Sequence, residues 1–197
     1  MRVTFIQKST GRGGAKNSLM ESLTAMHQDG GLQPRVLAGE PGPFVDRCRN
    51  LGVPCSILAL PKWRKFFDRL KFPSAMKKAA AVAGEHRPEW IISNEMWWAP
   101  HAARIAKHLG WRSAVILRDG IATIPKAKQY RLFDNDLILP VSSTIGDALK
   151  PDPLFHDRVH VLFNSVSVPE ANAAQFAELD GKLGAIPTVQ GWLLVVP

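Results

Sequence analysis

The sequence predicts an α/β fold: a doubly wound, mostly parallel sheet of about six to seven strands with helices on both faces. Three observations predict it. The short strand-like runs are continuously apolar instead of alternating, as strands covered on both faces must be. Segments with helical spacing or turn signals separate most of those runs. A glycine cluster, Gly11-Arg12-Gly13-Gly14, joins the first apolar run to the first amphipathic helix. A glycine loop feeding a helix N-terminus is where such sheets often receive anions, because bare N–H groups and the helix dipole converge there.

Each element has its own signal. Arg2-Val3-Thr4-Phe5-Ile6-Gln7 is the first strand, and from Ala15 the residues Leu19, Leu23 and Met26 share one helical face. Arg35-Val36-Leu37-Ala38 is the second strand, followed by a turn at Pro41-Gly42-Pro43. A short helix from Phe44 to Leu51 stops at Gly52, a residue suited to the left-handed position that ends helices. Cys55-Ser56-Ile57-Leu58-Ala59-Leu60 is the third strand. A basic segment and an Ala-rich helix, about Ala75 to Glu85, lead to the fourth strand, Trp90-Ile91-Ile92. The next helix, about Pro100 to Leu109, ends at Gly110. The remaining strands are Ser113 to Leu117, Leu137-Ile138-Leu139 and Val159 to Phe163.

Composition sets the outer bounds. A chain of 197 residues with 46% hydrophobic residues makes one ordinary domain with a proper core. No apolar run approaches the roughly 18 residues that span a bilayer. Gln7, Lys8 and Ser9 interrupt the first apolar run, which is therefore a strand and not a secretory leader. Two cysteines, Cys48 and Cys55, make neither a disulfide framework nor a four-ligand zinc site, so both thiols are expected free in a cytoplasmic protein. No metal and no cofactor are expected. The net charge of +8 favours anionic partners. Most of it is local: Lys62 to Lys78 holds seven basic residues against Asp68.

In a doubly wound sheet, ligands sit at the carboxyl ends of the strands. Gln7 to Gly14 follow the first strand, Ser93-Asn94-Glu95 the fourth and Arg118-Asp119-Gly120 the fifth. Ser142-Ser143 follow the sixth and Asn164-Ser165 the seventh. Any one of these has a plain structural use. Ser142 can cap the helix after it, and Asn164 can close a turn on its own backbone. Five polar strand ends on one edge point to a cleft. The glycine cluster matches neither G-x-G-x-x-G nor the P-loop, so phosphate binding and a tight strand-to-helix turn both stand.

The series resembles the Rossmann-like N-terminal domain of GT-B glycosyltransferases, of the large retaining family numbered four. Gly13-Gly14-Ala15 resembles that family's early Gly-Gly turn, and Gly52-Val53-Pro54 its entry to the third strand. Trp90 to Asn94, followed by Ala102-Ala103-Arg104-Ile105-Ala106, resembles its aliphatic strand and Ala-rich helix. Leu139-Pro140-Val141-Ser142 resembles a strand end, and Arg158 to Val166 the segment that closes the first domain. The resemblance covers residues 1 to about 168, leaving 169–197 as a connector and the first strand of a second domain. Two departures stand out. The family often has His where Arg118 stands, and Asn164-Ser165-Val166-Ser167 lacks the usual Gly and Asp.

The resemblance implies an acceptor-binding domain whose donor-binding partner domain does not follow in this chain, so that the chain alone is expected to be inactive. It implies a nucleotide-sugar donor as substrate and a sugar or lipid-linked acceptor. Gly13, Gly14 and Lys16 would contact the donor phosphates. Asp119 and Arg118 would stand at the reacting centre, and Asn94, Glu95, Trp97, Ser142 and Asn164 would bind the acceptor. Glu170 and Glu178 match the Glu-x₇-Glu spacing of the family's second domain by chance, since they lie in the connector.

Two features stay open on sequence alone. Trp63, Phe66, Phe67 and Leu70 fall at helical spacing between Lys62, Arg64, Lys65 and Arg69. Such a helix either lies on an anionic membrane, here the inner face, or docks its apolar side on the sheet. Trp97-Trp98 offers either a sugar-stacking platform or core. The rival reading is a non-catalytic module that binds anionic partners through the basic patch. Nucleic acid is not expected, since no binding signature accompanies the charge.

Overall fold

Successive side chains of a strand point to opposite, equally covered faces of the sheet. In β1 (Arg2–Gln7), Val3 and Phe5 point to one face, where they meet Leu19 and Leu23 of α1 (Gly14–Asp29). Ile6 points to the other face. The structure, a computed structural model, describes residues 1–8, 10, 11, 13–63, 66–118 and 123–164, without the side chains of Phe66, Phe67 and Arg69. The connector reading therefore lies outside the described residues.

After α1 come β2 (Gln33–Ala38), α2 (Pro43–Asn50), β3 (Cys55–Ile57) and α3 (Phe66–Gly84). The second half runs β4 (Trp90–Ser93), a 3₁₀ turn at Met96–Trp98, α4 (Ala99–Leu109) and β5 (Arg112–Leu117). It ends with α5 (Ile124–Gln129), β6 (Leu137–Pro140) and α6 (Ser143–Asp147). The strand order is β3-β2-β1-β4-β5-β6 and every pairing is parallel. α1 and α2 cover one face through Leu19, Leu23, Phe44 and Val45. α3 and α4 cover the other through Phe72, Met76, Ala79 and Ile105. Small residues on α4, Ala99, Ala102, Ala103 and Ala106, bring that helix close against the sheet.

The order matters for function. The chain leaves β3 at one edge and returns as β4 on the far side of β1, so connections diverge between β1 and β4. That divergence opens a crevice at the carboxyl ends of those two strands. The β1 loop is locked to its neighbour: Thr10 Oγ1 donates to the Pro41 carbonyl at 2.7 Å, and Phe44 N–H to the Thr10 carbonyl at 3.0 Å. Gly39 permits this, because a Cβ there would meet the Lys8 Cα at 2.9 Å.

Three elements differ from the sequence reading. The third strand stops at Ile57, because β2 ends at Ala38 and offers nothing to pair beyond Leu58 N–H. Residues 159–163 form no strand: Val159 makes an isolated parallel bridge to Ile138, while Leu162 and Phe163 are exposed. The Ala-rich helix starts at Phe66 and runs through Pro73, a residue that reads as a helix start. Burial of Phe72 and Met76 on either side of that proline holds the longer helix to the core.

Candidate functional site

The crevice between β1 and β4 is floored by one connected set of side chains. Gln7, the last residue of β1, and Asn94, just past β4, are both fully buried. Asn94 Nδ2 donates to Gln7 Oε1 at 2.6 Å and to the Ala15 carbonyl at 3.1 Å. Gln7 Nε2 donates to Glu95 Oε1 at 3.0 Å, and the same oxygen pairs with Lys16 Nζ at 3.5 Å. From β5, Arg118 reaches Asn94 Oδ1 through Nε at 3.3 Å and Nη2 at 3.1 Å. Arg118 Nη1 donates to Ser18 Oγ at 2.7 Å and also to Asn164 Oδ1. Ser18 Oγ in turn donates to Asn164 Oδ1 at 3.0 Å.

Of the residues singled out by sequence, the network joins Lys16, Asn94, Glu95, Arg118 and Asn164. Asn94 has no surface to offer a ligand; both ends of its amide are engaged within the protein. It positions Arg118 and Gln7, and any ligand would feel it through them. Gly13 and Gly14 sit at the start of α1, with Gly13 as its N-cap. The Gly13 carbonyl accepts from Lys16 and Asn17 N–H at 3.1 and 3.0 Å. No side chain caps this end, no acidic residue stands in the first turn, and the Gly14 and Ala15 N–H groups find no partner among the described residues. A Cβ added at Gly11 or Gly14 would meet nothing within 4 Å. Neither neighbour packing nor a positive φ explains a glycine at either position.

The other candidates are placed differently. Ser142 is the N-cap of α6, its Oγ accepting from Ile145 N–H at 3.4 Å. Trp97 is half-buried with its ring edge-on to Tyr130 at 4.9 Å, and Trp98 is buried against His101. Trp98 is therefore core. Trp63, read as facing either a membrane or the sheet, turns inward: its ring meets Phe72 edge-on at 4.9 Å. Leu70, from the same sequence stripe, is 72% exposed, so the stripe does not act as one face. Lys62 is exposed. Asp119, Arg64 and Lys65 lie outside the described residues, as do the side chains of Phe66 and Arg69. Among the described residues no group of three metal-ligating side chains gathers, and no helix is long and apolar enough to cross a membrane.

Ser18 was missed as a member of the set, while Gln7 stood among the polar strand ends without a role of its own. Ser18 lies one helical turn after Gly14, on the side of α1 that the glycine loop opens. Electrostatically, burial lowers the Arg118 pKa from its ordinary value, and the Glu95 charge partly offsets this.

Neither a family model nor a curated protein sequence matches the chain. Solved structures do. Over 93% of its length the chain matches 50% of Anabaena HepE, crystallised in complex with UDP and glucose, with a TM-score of 0.70 at 16% identity. Over 87% it matches 48% of WaaB, a lipopolysaccharide outer core galactosyltransferase, with a TM-score of 0.63 at 15% identity. Over 83% it matches 46% of the Neisseria meningitidis UDP-GlcNAc 2-epimerase bound to UDP-GlcNAc, with a TM-score of 0.55 at 13% identity. The chain spans about half the length of each of these proteins. At such identities the likeness shows the fold, which is that of one half of a GT-B glycosyltransferase.

Proposed function

We propose that this domain receives the acceptor in a glycosyl transfer from a nucleotide-sugar donor, working against a donor-binding domain. One observation carries the reading. The first turn of α1 is uncapped and opens onto free space at Gly11 and Gly14, beside Lys16. Backbone N–H groups, the helix dipole and one cation there suit a diphosphate. As the acceptor hydroxyl attacks the anomeric carbon, charge builds on the departing diphosphate, and donors already in place stabilise it without reorganising. In a retaining, front-face transfer the leaving phosphate takes the acceptor proton, so the domain supplies no dedicated base. Asp119, next to Arg118, is proposed to orient the acceptor hydroxyl. The fold's likeness to HepE, which was crystallised with UDP and glucose, supports a nucleotide-sugar partner. The exposed Lys62 and Leu70 support a second proposal, peripheral contact of the basic segment with an anionic membrane.

The test uses Gly14. Gly14→Ala removes a glycine from a helix without a clash, so it should leave folding stability unchanged or raise it, by up to about 1 kcal/mol. Gly14→Leu fills the space a diphosphate would occupy. UDP-glucose binding followed by NMR line broadening should weaken in Gly14→Ala and vanish in Gly14→Leu. Wild-type binding by a folded Gly14→Leu variant removes α1 from the donor site.

A further inference from the structure

Both cysteines of the chain meet where α2 gives way to β3. Cys48 lies on the last turn of α2 and Cys55 opens β3. The turn between them is closed by Val53 N–H donating to the Cys48 carbonyl at 2.9 Å and Gly52 N–H donating to the Arg49 carbonyl at 2.9 Å. Val53 and Cys48 are buried in one apolar cluster, and Cys55 packs against it. Both thiols are free, and they share a side-chain hydrogen bond. Cys48 Sγ also lies 3.6 Å from Met20 Sδ, and Cys55 Sγ 3.5 Å from the Val53 carbonyl oxygen. The two elements are fixed from elsewhere in the fold, since Phe44 N–H of α2 donates to the Thr10 carbonyl and Val36 N–H of β2 donates to the Pro54 carbonyl. The sulfurs are therefore held together by the fold.

The pair is unequal, and the inequality is chemical. Cys48 has no solvent exposure, while Cys55 is half-buried on an edge strand that pairs only with β2. The hydrogen bond to Cys55 and burial push the Cys48 thiol up, so it keeps its proton. The same hydrogen bond lowers the Cys55 pKa from its ordinary value; burial opposes this, and the Arg49 and Arg35 charges add to it. A thiolate that small molecules can reach, backed by a buried thiol in contact with it, is the arrangement that thiol–disulfide exchange requires.

We propose that Cys48 and Cys55 form a reversible oxidation site, at which a low-molecular-weight disulfide converts the two thiols into one intramolecular disulfide that clamps α2 to β3. The site is independent of the crevice and of the glycosyl-transfer reading. With oxidised glutathione as the oxidant, the Cys55 thiolate attacks one glutathione sulfur, releasing a glutathione thiolate and leaving a mixed disulfide. Cys48 then gives its proton to that released thiolate and attacks the Cys55 sulfur, expelling the second glutathione thiolate. This last thiolate takes up the proton that Cys55 had given to water. Two cysteine thiols are oxidised and one glutathione disulfide is reduced to two glutathione thiols.

The test equilibrates the full chain with mixtures of oxidised and reduced glutathione, quenches with acid and reads the products by mass spectrometry. Trypsin cuts after Arg47 and Arg49, so the bridge appears as the Cys48-Arg49 dipeptide joined to the peptide that starts at Asn50. The wild type should become two hydrogens lighter, remain a single chain and yield that linked pair. Cys48→Ala removes the buried thiol and should stop at a stable glutathione adduct on Cys55. Cys55→Ser should leave Cys48 unmodified. A bridge that fits the native fold is favoured by it, so the folded chain should keep the bridge against at least about tenfold more reduced glutathione than the urea-unfolded chain. Equal resistance in the folded and unfolded chains overturns the proposal. So does a glutathione adduct that persists on Cys55 in the wild type, a bridge between two chains, or two thiols that stay free at every ratio. If Cys48→Ala does not fold, as judged by circular dichroism, the linked peptides and the folded-against-unfolded comparison of the wild type carry the test.

Discussion

Acidification should unfold this domain through one buried imidazole. His101, on the first turns of α4, has no solvent exposure and is packed between Phe72 and Trp98 at ring distances of 4.9 and 4.6 Å. Its Nε2 lies 2.8 Å from the Pro61 carbonyl, which assigns the proton of the neutral ring to that nitrogen. Its Nδ1 is buried without a partner among the described residues. The pKa is held down to about 4, chiefly by burial, with the Pro61 hydrogen bond opposing it and the Lys8 charge adding to it. In the unfolded chain the same group titrates near 6.5. As pH falls through that value the unfolded state binds the proton first, so stability is full above about 6.5 and lost as pH approaches about 4. A shift of this size corresponds to about 3 kcal/mol, of which about 2.5 is lost by pH 4.5. The assay is urea unfolding, followed by tryptophan fluorescence, across that pH range for the wild type and His101→Phe. Phenylalanine keeps the ring stack and loses the Pro61 bond, worth about 1 kcal/mol. The variant should start less stable at neutral pH and end more stable at pH 4.5. Parallel profiles for the two proteins would refute the reasoning, because every other titrating group is common to both.

Two further outcomes follow from the placement of individual side chains. Ser142→Ala removes the N-cap of α6 and should lower stability by about 1 kcal/mol in urea unfolding, without changing UDP-glucose binding. A loss of sugar binding at unchanged stability would instead return Ser142 to the acceptor site. The basic segment should bind vesicles containing phosphatidylglycerol and not pure phosphatidylcholine, with binding weakened by salt. Lys62→Glu should reduce that binding, and Trp63→Ala should act mainly by destabilising the fold, because Trp63 packs on Phe72. Sedimentation of equal, negligible amounts with both vesicle types would end the membrane proposal.

The strand ends were legible because a parallel sheet maps sequence onto space by a simple rule. Every strand points the same way, so whatever follows an apolar run lands on one edge. Residues as distant as Lys16, Glu95, Arg118 and Asn164 could be gathered on that rule alone. What the rule does not supply is lateral choice along the edge. Ser142 lies at the right edge, yet it caps α6, since β6 is separated from the crevice by β5. The tryptophan pair follows β4 directly, but the 3₁₀ turn at Met96–Trp98 rotates both rings toward the helices. Local periodicity misled at Leu70 for a related reason: the buried face of α3 is set by Phe72 and Met76.

Charge pairing was the least legible feature. In sequence Arg118 is followed by Asp119, and nothing near it in the chain points to its partners. The fold directs the guanidinium to Asn94, Ser18 and Asn164, contacts separated by 24, 100 and 46 positions in the chain. Glu95, the carboxylate nearest in character, is drawn to Lys16 and Gln7. Each choice is dictated by which strands neighbour one another, β1 with β4 and β4 with β5, a fact that no window of sequence contains.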